Sequence, residues 1–213
     1  MNLYTFFRSG TSHRLRIALN LKNIDVNHIP VDLRVDEQSK SEYLKINPQG
    51  LVPALVVDDK ILIQSPAIIE WLEESYPTPS FLPRDSYDRV HVRAMASLVS
   101  CDIHPINNRR ILEYLKKELL VSDVLVNEWC AHWITSGFDA LESLLNNDSR
   151  TGEFCFGNHP TLADIFLIPQ VESARRFKLN TMKWPKIHEI DQRCAHIDAF
   201  VLASPSRQKD ALI

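Results

Sequence analysis

The sequence predicts a small α/β domain with a mixed sheet, followed by a domain built only of helices. Strand and helix patterns alternate over residues 1 to about 76. Three prolines then fall close together between Pro77 and Pro83, which is typical of a linker. Beyond this run only helical patterns are found. We therefore place the two domains at residues 1–80 and 81–213.

The first domain is predicted to have the element order β-α-β-α-β-β-α. Its strands are expected at residues 3–6, 29–33, 54–57 and 61–64, with a hairpin between the last two. A helix is favoured over residues 15–22, and a short helix or a turn over residues 42–46. A third helix should begin at Ser65, which we expect to be the capping residue because Pro66 suits the first turn.

The second domain is predicted to hold helices at residues 90–102, 106–120, 124–145 and 187–194. We expect an interruption near Gly137, because glycine weakens a helix interior. A further helix should start at the box Thr161-Leu162-Ala163-Asp164, in which threonine caps and aspartate reaches back. The tail after Pro205 is predicted to be loose.

Composition argues against several classes of partner. The net charge of the 213 residues is −3, which gives no electrostatic reason to expect nucleic acid or an anionic membrane. No apolar run approaches the roughly 20 residues of a membrane span, and no secretory signal is seen. The 4 cysteines are far apart and form no C-x-x-C pair, so we predict reduced thiols, a cytoplasmic protein and no metal site.

The stretch from Phe7 to Arg16 joins the first strand to the first helix and carries the first chemical signal. Its residues Ser9, Gly10 and Thr11 suit a turn in which free amides and the helix dipole converge. Such a turn stabilises an anion. A plain helix N-cap would use the same residue types, so this stretch alone leaves both interpretations open.

Further motifs resemble those of the glutathione transferases. Val52-Pro53 before the third strand is similar to the family's cis-proline turn, and Gln64-Ser65 to its γ-glutamyl-binding pair. Residues 7–19 are similar to the zeta-class signature Ser-Ser-Cys-x-x-Arg-Val-Arg-Ile-Ala-Leu, although Gly10 and Thr11 replace its second serine and its cysteine. This variant turn, with the run His-Pro-Ile-Asn-Asn-Arg-Arg at 104–110, resembles the maleylpyruvate isomerases within that class.

The resemblance implies a thioredoxin-like first domain, glutathione as cofactor and a homodimer. It implies that Asp102 approaches the glutathione held by the partner subunit. The glutathione contacts it implies are Ser9, Gly10, Thr11, Gln38, Gln49, Val52, Pro53, Gln64, Ser65, Asp102, His104 and Asn108.

The reaction implied is cis–trans isomerisation of a small dicarboxylate, from maleylpyruvate to fumarylpyruvate, with maleylacetoacetate as the alternative substrate. The glutathione thiol must be ionised for this, and Ser9 is the first candidate and Thr11 the second. Arginine binds carboxylates through two parallel hydrogen bonds. The candidates are Arg8, Arg110 and Arg176, whereas Arg109 should point about 100° away from Arg110 on a helix. His104 is a candidate donor or proton shuttle.

Two other functions remain open at this point. A general detoxifying transferase or peroxidase would use the same thiolate, but it usually needs an apolar pocket for its electrophile. A non-catalytic module of the same fold would not need an intact thiolate turn. The arginines and the intact run from Ser9 to Arg16 favour the isomerase.

Overall fold

A computed structural model describes residues 1–212 and divides the chain into two compact units. The first unit joins Met1–Ser80 with the segment from Ala195 onward, and the second is Phe81–Cys194. The division expected from sequence, 1–80 and 81–213, differs from this in the segment after Cys194. That segment packs in the first unit because polar groups near the first helix bind it, as described below.

The first unit is built on a four-stranded mixed sheet in the order β2-β1-β3-β4. The strands are β1 (Asn2–Thr5), β2 (Asn27–Pro30), β3 (Ala54–Val57) and β4 (Lys60–Ile63). β1 pairs in parallel with β2 and antiparallel with β3, and β3 pairs antiparallel with β4. β2 begins and ends earlier than predicted, because Asp32 leaves the sheet and caps a short 3-10 turn by accepting from the Arg34 amide.

Four helices belong to the first unit: α1 (Gly10–Leu21), α2 (Ser41–Leu44), α3 (Ser65–Ser75) and, from the end of the chain, the helix at Asp198–Ala203. α1 starts five residues before the predicted helix at 15–22, because Ser9 serves as its cap. Every residue of α1 from Ser12 to Leu19 is buried, since the helix packs against α3 on one side and Asp198–Ala203 on another. The turn after β1 therefore leads into the most enclosed helix of the unit.

The second unit is all helical, as predicted. Its helices are α4 (Ser86–Ser97), α5 (Arg109–Lys117), α6 (Asp123–Asn147), α7 (Leu162–Arg176) and α8 (Pro185–Cys194). The helix Asp198–Ala203 of the first unit is accordingly α9. A π-helical segment, Leu98–Ile103, continues directly from α4, and the 3-10 turn Pro105–Asn107 follows it. The predicted helix at 106–120 is therefore shorter, because Asn108 is extended and caps α5.

α6 runs unbroken through Gly137, so the predicted interruption is wrong. A Cβ atom at Gly137 would lie 2.3 Å from Cδ1 of Ile103, so glycine is present to admit that side chain. The capping box at Thr161 is confirmed: Asp164 accepts from the Thr161 amide at 2.7 Å and from its hydroxyl at 2.8 Å.

From Pro205 to Leu212 the tail is ordered rather than loose. It forms two 3-10 turns, Pro205–Arg207 and Lys209–Leu212. Gln208 is buried, and its side-chain amide donates to the carbonyls of Leu202 and Ser204 at 2.8 and 2.9 Å. These bonds fold the tail back onto the end of α9.

Within residues 1–212, no helix combines the length and the apolar character that crossing a membrane requires.

Candidate active site

The turn between β1 and α1 brings two candidate hydroxyls together. Ser9 caps α1 by accepting from the amide of Ser12 at 3.2 Å. Its Oγ lies 2.9 Å from Oγ1 of Thr11, which in turn donates to the carbonyl oxygen of Val52 at 2.8 Å. A hydroxyl carries a single proton, so Ser9 must be the donor to Thr11. The Ser9 proton is thus the one that can turn towards an incoming anion while Thr11 stays bonded to Val52.

The loop before β3 is fixed from several directions. The peptide bond between Val52 and Pro53 is cis, as expected from sequence, and both residues are buried. The neighbouring carbonyl of Leu51 accepts from the Tyr43 hydroxyl and from the side-chain amide of Asn47, each at 2.7 Å. Burial raises the pKa of the Tyr43 phenol, so the phenol remains a hydrogen-bond donor. The loop therefore offers a rigid backbone edge beside Thr11.

The start of α3 provides a second candidate anion site, with one correction to the prediction. Gln64, not Ser65, is the capping residue, and its φ of 69° turns the chain sharply from β4 into the helix. Ser65 is therefore the first helical residue. Its side chain is only 2% exposed, and its Oγ has no hydrogen-bond partner among residues 1–212. A carboxylate at this helix N-terminus would satisfy that hydroxyl and the first-turn amides, so the residues fit the γ-glutamyl end of glutathione.

Two glutamines lie next to this helix start. Gln64 donates through Nε2 to Oε1 of Gln49 at 2.6 Å. Gln38 lies close to Gly50, the residue after Gln49. A Cβ atom on Gly50 would be 3.1 Å from the Gln38 carbonyl oxygen. Gly50 has a φ of 63°, so glycine suits both the backbone and the close approach. The structure thus gathers Gln38, Gln49 and Gln64 around one turn of the first unit.

The remaining candidates lie in the second unit. Asp102 is exposed within the π-helical segment, and His104 follows that segment and is half-buried. Asn108 accepts from the Arg110 amide at 3.2 Å and so caps α5. A π-helical segment of this kind often occurs at functional sites.

The arginines differ in their surroundings. Arg109 donates through Nε to Oε1 of Glu113 at 2.5 Å on its own helix. Arg110, one position on, is exposed, and so are Arg176 at the end of α7 and Arg8 at the thiolate turn. Arg175, the neighbour of Arg176, is paired with Glu172 and Asp191. The structure therefore separates Arg109 from Arg110, as the helical spacing predicts.

Arg14 and Arg16 are both only 2% exposed, and neither was predicted from the sequence to have a role near the site. Arg16 donates to the carbonyls of Phe7 and Ala203, each at 2.9 Å. Burial lowers the pKa of Arg16 to about 10, and the nearby Asp210 opposes this effect. The sequence did contain a signal for their burial. Apolar residues lie between and after these arginines, and this pattern predicts a helix that is buried on every side.

Comparison with known proteins agrees with this geometry. Residues 8–75 match the model of the glutathione S-transferase N-terminal domain, and residues 127–196 match that of the C-terminal domain. A maleylpyruvate isomerase from a Ralstonia species is 54% identical over 211 residues, covering 99% of this chain and 100% of the relative. The chain belongs to the zeta class of the glutathione S-transferase family. The fold and the family predicted from the sequence are thereby confirmed.

Three further relatives are isomerases of the same family. The holo structure of a bacterial zeta-class maleylpyruvate isomerase superposes with a TM-score of 0.98 at 55% identity, covering 99% of this chain and 100% of that one. A maleylacetoacetate isomerase from Pseudomonas aeruginosa is 44% identical, covering 99% of this chain and 98% of the relative. A solved maleylacetoacetate isomerase from Anaeromyxobacter dehalogenans, 37% identical with a TM-score of 0.88, contains glutathione; the match covers 99% of this chain and 97% of that one.

Proposed function

We propose that this chain is a glutathione-dependent cis–trans isomerase that converts maleylpyruvate to fumarylpyruvate. The observation that carries the proposal is 54% identity to a maleylpyruvate isomerase over essentially the whole of both chains. The hydroxyl pair at the start of α1 and the unsatisfied Ser65 hydroxyl support it from the structure. Glutathione is the cofactor that these two helix starts fit.

The chain's own residues have three tasks in this reaction: they ionise the glutathione thiol, hold glutathione in place and bind the carboxylates of the substrate. Bound glutathione supplies a thiolate that adds to the substrate double bond, allows rotation about the resulting single bond, and leaves again unchanged. The Ser9 hydroxyl donates a hydrogen bond to that sulfur at the positive end of α1, which lowers the thiol pKa. Thr11 keeps its bond to Val52, so Ser9 is favoured over Thr11 as the stabilising donor.

The cofactor is proposed to lie along the first unit. The backbone at Val52 and Pro53 pairs with the cysteinyl part, and the start of α3 at Ser65 receives the γ-glutamyl carboxylate. The other contacts proposed are Gly10, Gln38, Gln49, Gln64, Asp102, His104 and Asn108. His104 serves as a donor or proton shuttle, since imidazole titrates near neutral pH.

The carboxylates of the substrate are assigned to Arg8, Arg110 and Arg176. Each guanidinium is exposed, and each can form two charge-assisted hydrogen bonds with a carboxylate. Arg109 is left out of this set because consecutive residues on a helix point about 100° apart, so it cannot face the site together with Arg110.

A second candidate substrate is maleylacetoacetate. The observation that favours it is the 44% identity to the Pseudomonas aeruginosa maleylacetoacetate isomerase. The two substrates share the reacting cis double bond and the carboxylate next to it. They differ in length, so the comparison of kcat/KM for the two at saturating glutathione decides between them.

The active form is proposed to be a homodimer in the cytoplasm. Tyr87 and Val90 on α4 are 83% and 66% exposed, which leaves an apolar stripe open to a second copy. Edge strand β4 also exposes Ile61 and Ile63. All 4 cysteines are free, which suits a reducing compartment in which glutathione is kept as the thiol.

The deciding experiment is turnover with less glutathione than substrate. Because the thiolate is released in each cycle, we expect complete conversion of maleylpyruvate by the wild-type chain at one-hundredth of an equivalent of glutathione. If product formation stops at one equivalent of the glutathione added, and free glutathione disappears from solution, the reaction is conjugation and the isomerase is rejected.

A further inference from the structure

The backbone just ahead of Ser9 is held by residues from the far end of the chain. Oδ2 of Asp210 accepts from the amide of Phe7 at 2.8 Å. The carbonyl of Phe7 accepts from Arg16 at 2.9 Å, and Arg16 also binds the carbonyl of Ala203 at 2.9 Å. Phe7 lies beyond β1, so sheet pairing does not fix it. Two side chains hold both of its backbone polar groups instead.

These side chains are enclosed. Arg16 is 2% exposed and Asp210 is 8% exposed. A further bond from Arg16 reaches Oγ1 of Thr5 at 3.2 Å, at the end of β1. Buried charged hydrogen bonds are costly to break, because the group left behind is desolvated and without its partner. The cluster is therefore a stiff connection between the tail and the turn.

Other charges surround the same place. The guanidinium of Arg34 lies 5.9 Å from the ring centre of Phe7. The carboxylate of Asp210 also acts on Arg34 and His28, and Lys209 acts on His28. The pKa of His28 is lowered, mainly by burial and then by Arg16. Asp210 shares this place with a second acid, Asp32, which binds Arg34 at 2.8 Å.

We infer that Asp210 is a positioning residue for the turn that carries Arg8, Ser9 and Thr11. It acts through the Phe7 backbone, together with Arg16, and it does not touch the substrate. The Ser9 amide donates to the carbonyl of Phe6 at 3.1 Å, so a shift of this backbone moves the Ser9 hydroxyl with it. The inference rests on the proposed function, in which Ser9 ionises the glutathione thiol.

The test is a titration of bound glutathione, followed by thiolate absorbance in the ultraviolet, without substrate. The variants are Asp210→Ala, Asp210→Asn, and Asp25→Ala as an exposed aspartate of the same unit. We expect Asp210→Ala to raise the apparent pKa of the bound thiol by about 0.5 to 1 unit, the size of one lost hydrogen bond. The kcat/KM at pH 7 should fall about 3- to 10-fold and recover at higher pH, where the thiol ionises unaided.

Asp210→Asn keeps an acceptor oxygen for Phe7 and loses the charge beside Arg16, so its shift should be smaller but measurable. If Asp210→Ala does not fold by circular dichroism, Asp210→Asn carries the test. A thiol pKa in these variants equal to that of Asp25→Ala would overturn the inference, even if the melting temperature fell.

Failure of the proposed function would look different. A wild-type chain that lowers the thiol pKa of glutathione but leaves maleylpyruvate unchanged would reject the isomerase and leave this inference standing. A wild-type bound thiol that titrates like free glutathione would overturn the inference itself.

Discussion

The shared hydrogen bond of Ser9 and Thr11 makes their roles separable by single substitutions. Ser9→Ala removes the proposed donor to the thiolate, and loss of a hydrogen bond to a charged group costs about 1.5–3 kcal/mol, or roughly 10- to 150-fold in kcat/KM. Thr11→Val removes only neutral bonds, so we expect a loss below about tenfold. The measurement is kcat/KM at pH 7, with thiolate absorbance in parallel.

Thr11→Ser is the matched control for this pair, because it keeps the hydroxyl that binds Val52. It should behave like the wild-type chain. A larger loss in Thr11→Val than in Ser9→Ala would give the stabilising role to Thr11.

Alanine substitutions of single arginines test which of them bind the substrate carboxylates. Arg8→Ala, Arg110→Ala and Arg176→Ala should each lower kcat/KM for maleylpyruvate by about 10- to 150-fold at saturating glutathione, since each removes a charge-assisted bond. Arg109→Ala should have a smaller effect, because Glu113 holds its Nε in a part-buried pair and we assign it no contact with the substrate. Equal and small losses of kcat/KM in Arg109→Ala and Arg110→Ala would mean that both residues belong to a solvated helix face.

At the scale of elements, Gly137 sets how closely α6 approaches the π-helical segment. Alanine in place of glycine favours an isolated helix by about 1 kcal/mol. Here its Cβ would meet Ile103, and overpacking of a core typically costs about 1–3 kcal/mol. We therefore expect Gly137→Ala to lower the melting temperature, and Gly137→Ala combined with Ile103→Ala to relieve the clash.

Ser136→Ala, on the exposed face of the same helix, is the control for this substitution and should be near neutral or slightly stabilising. A melting temperature that rises in Gly137→Ala would show that the segment 98–103 moves aside easily.

The end of α6 is tied to α4 by an acidic pair around one arginine. Arg150 binds Asp148 and Asp88 at 2.6 and 2.5 Å, and His91 lies 2.8 Å from Asp148. The hydrogen bond from Arg150 is the main cause that lowers the pKa of Asp148 from 3.8 to about 2. Since the folded pKa is below the unfolded one, this contribution to stability is present above about pH 4 and lost as the pH falls towards 2.

The variant Asp148→Asn tests that sign. Its melting temperature should lie below that of the wild type at pH 5 to 7, and the difference should shrink as the pH is lowered towards 2. A difference in melting temperature that grows as the pH falls would contradict the lowered pKa of Asp148.

Element types were largely predictable from sequence, whereas their ends were not. The strand 54–57 and the capping box at Thr161 were predicted correctly, because local residue patterns determine them. The cap at Gln64 and the continuous helix at Gly137 were missed, because the φ of Gln64 and the position of Ile103 are set by tertiary contacts. In the same way, the partners of Arg16 are distant in sequence, so no window around α1 contains them.

At the scale of the whole molecule, two valines test the proposed dimer. Val90 on α4 and Val124 on α6 are both 66% exposed. Val90→Glu should shift the sedimentation coefficient at micromolar concentration from dimer towards monomer, because a buried unpaired charge is costly in an apolar interface. Val124→Glu is the matched control and should leave the dimer intact. A wild-type monomer with full glutathione affinity would also remove the cross-subunit role of Asp102.

The first unit is built from two separate segments of the chain, and this has a consequence for how the protein is made. Its sheet and α1 come from the segment before the second unit, whereas Ala203 and Asp210, which bind Arg16 and Phe7, follow those partners by 187 and 203 residues. During translation, domains generally fold as units in the order in which they emerge, at about 5–20 residues per second. Until those residues are made, Arg16 lacks its bond to the carbonyl of Ala203, and the Phe7 amide lacks the carboxylate of Asp210. The backbone ahead of Ser9 is therefore fixed from both sides only after the second unit has been synthesised.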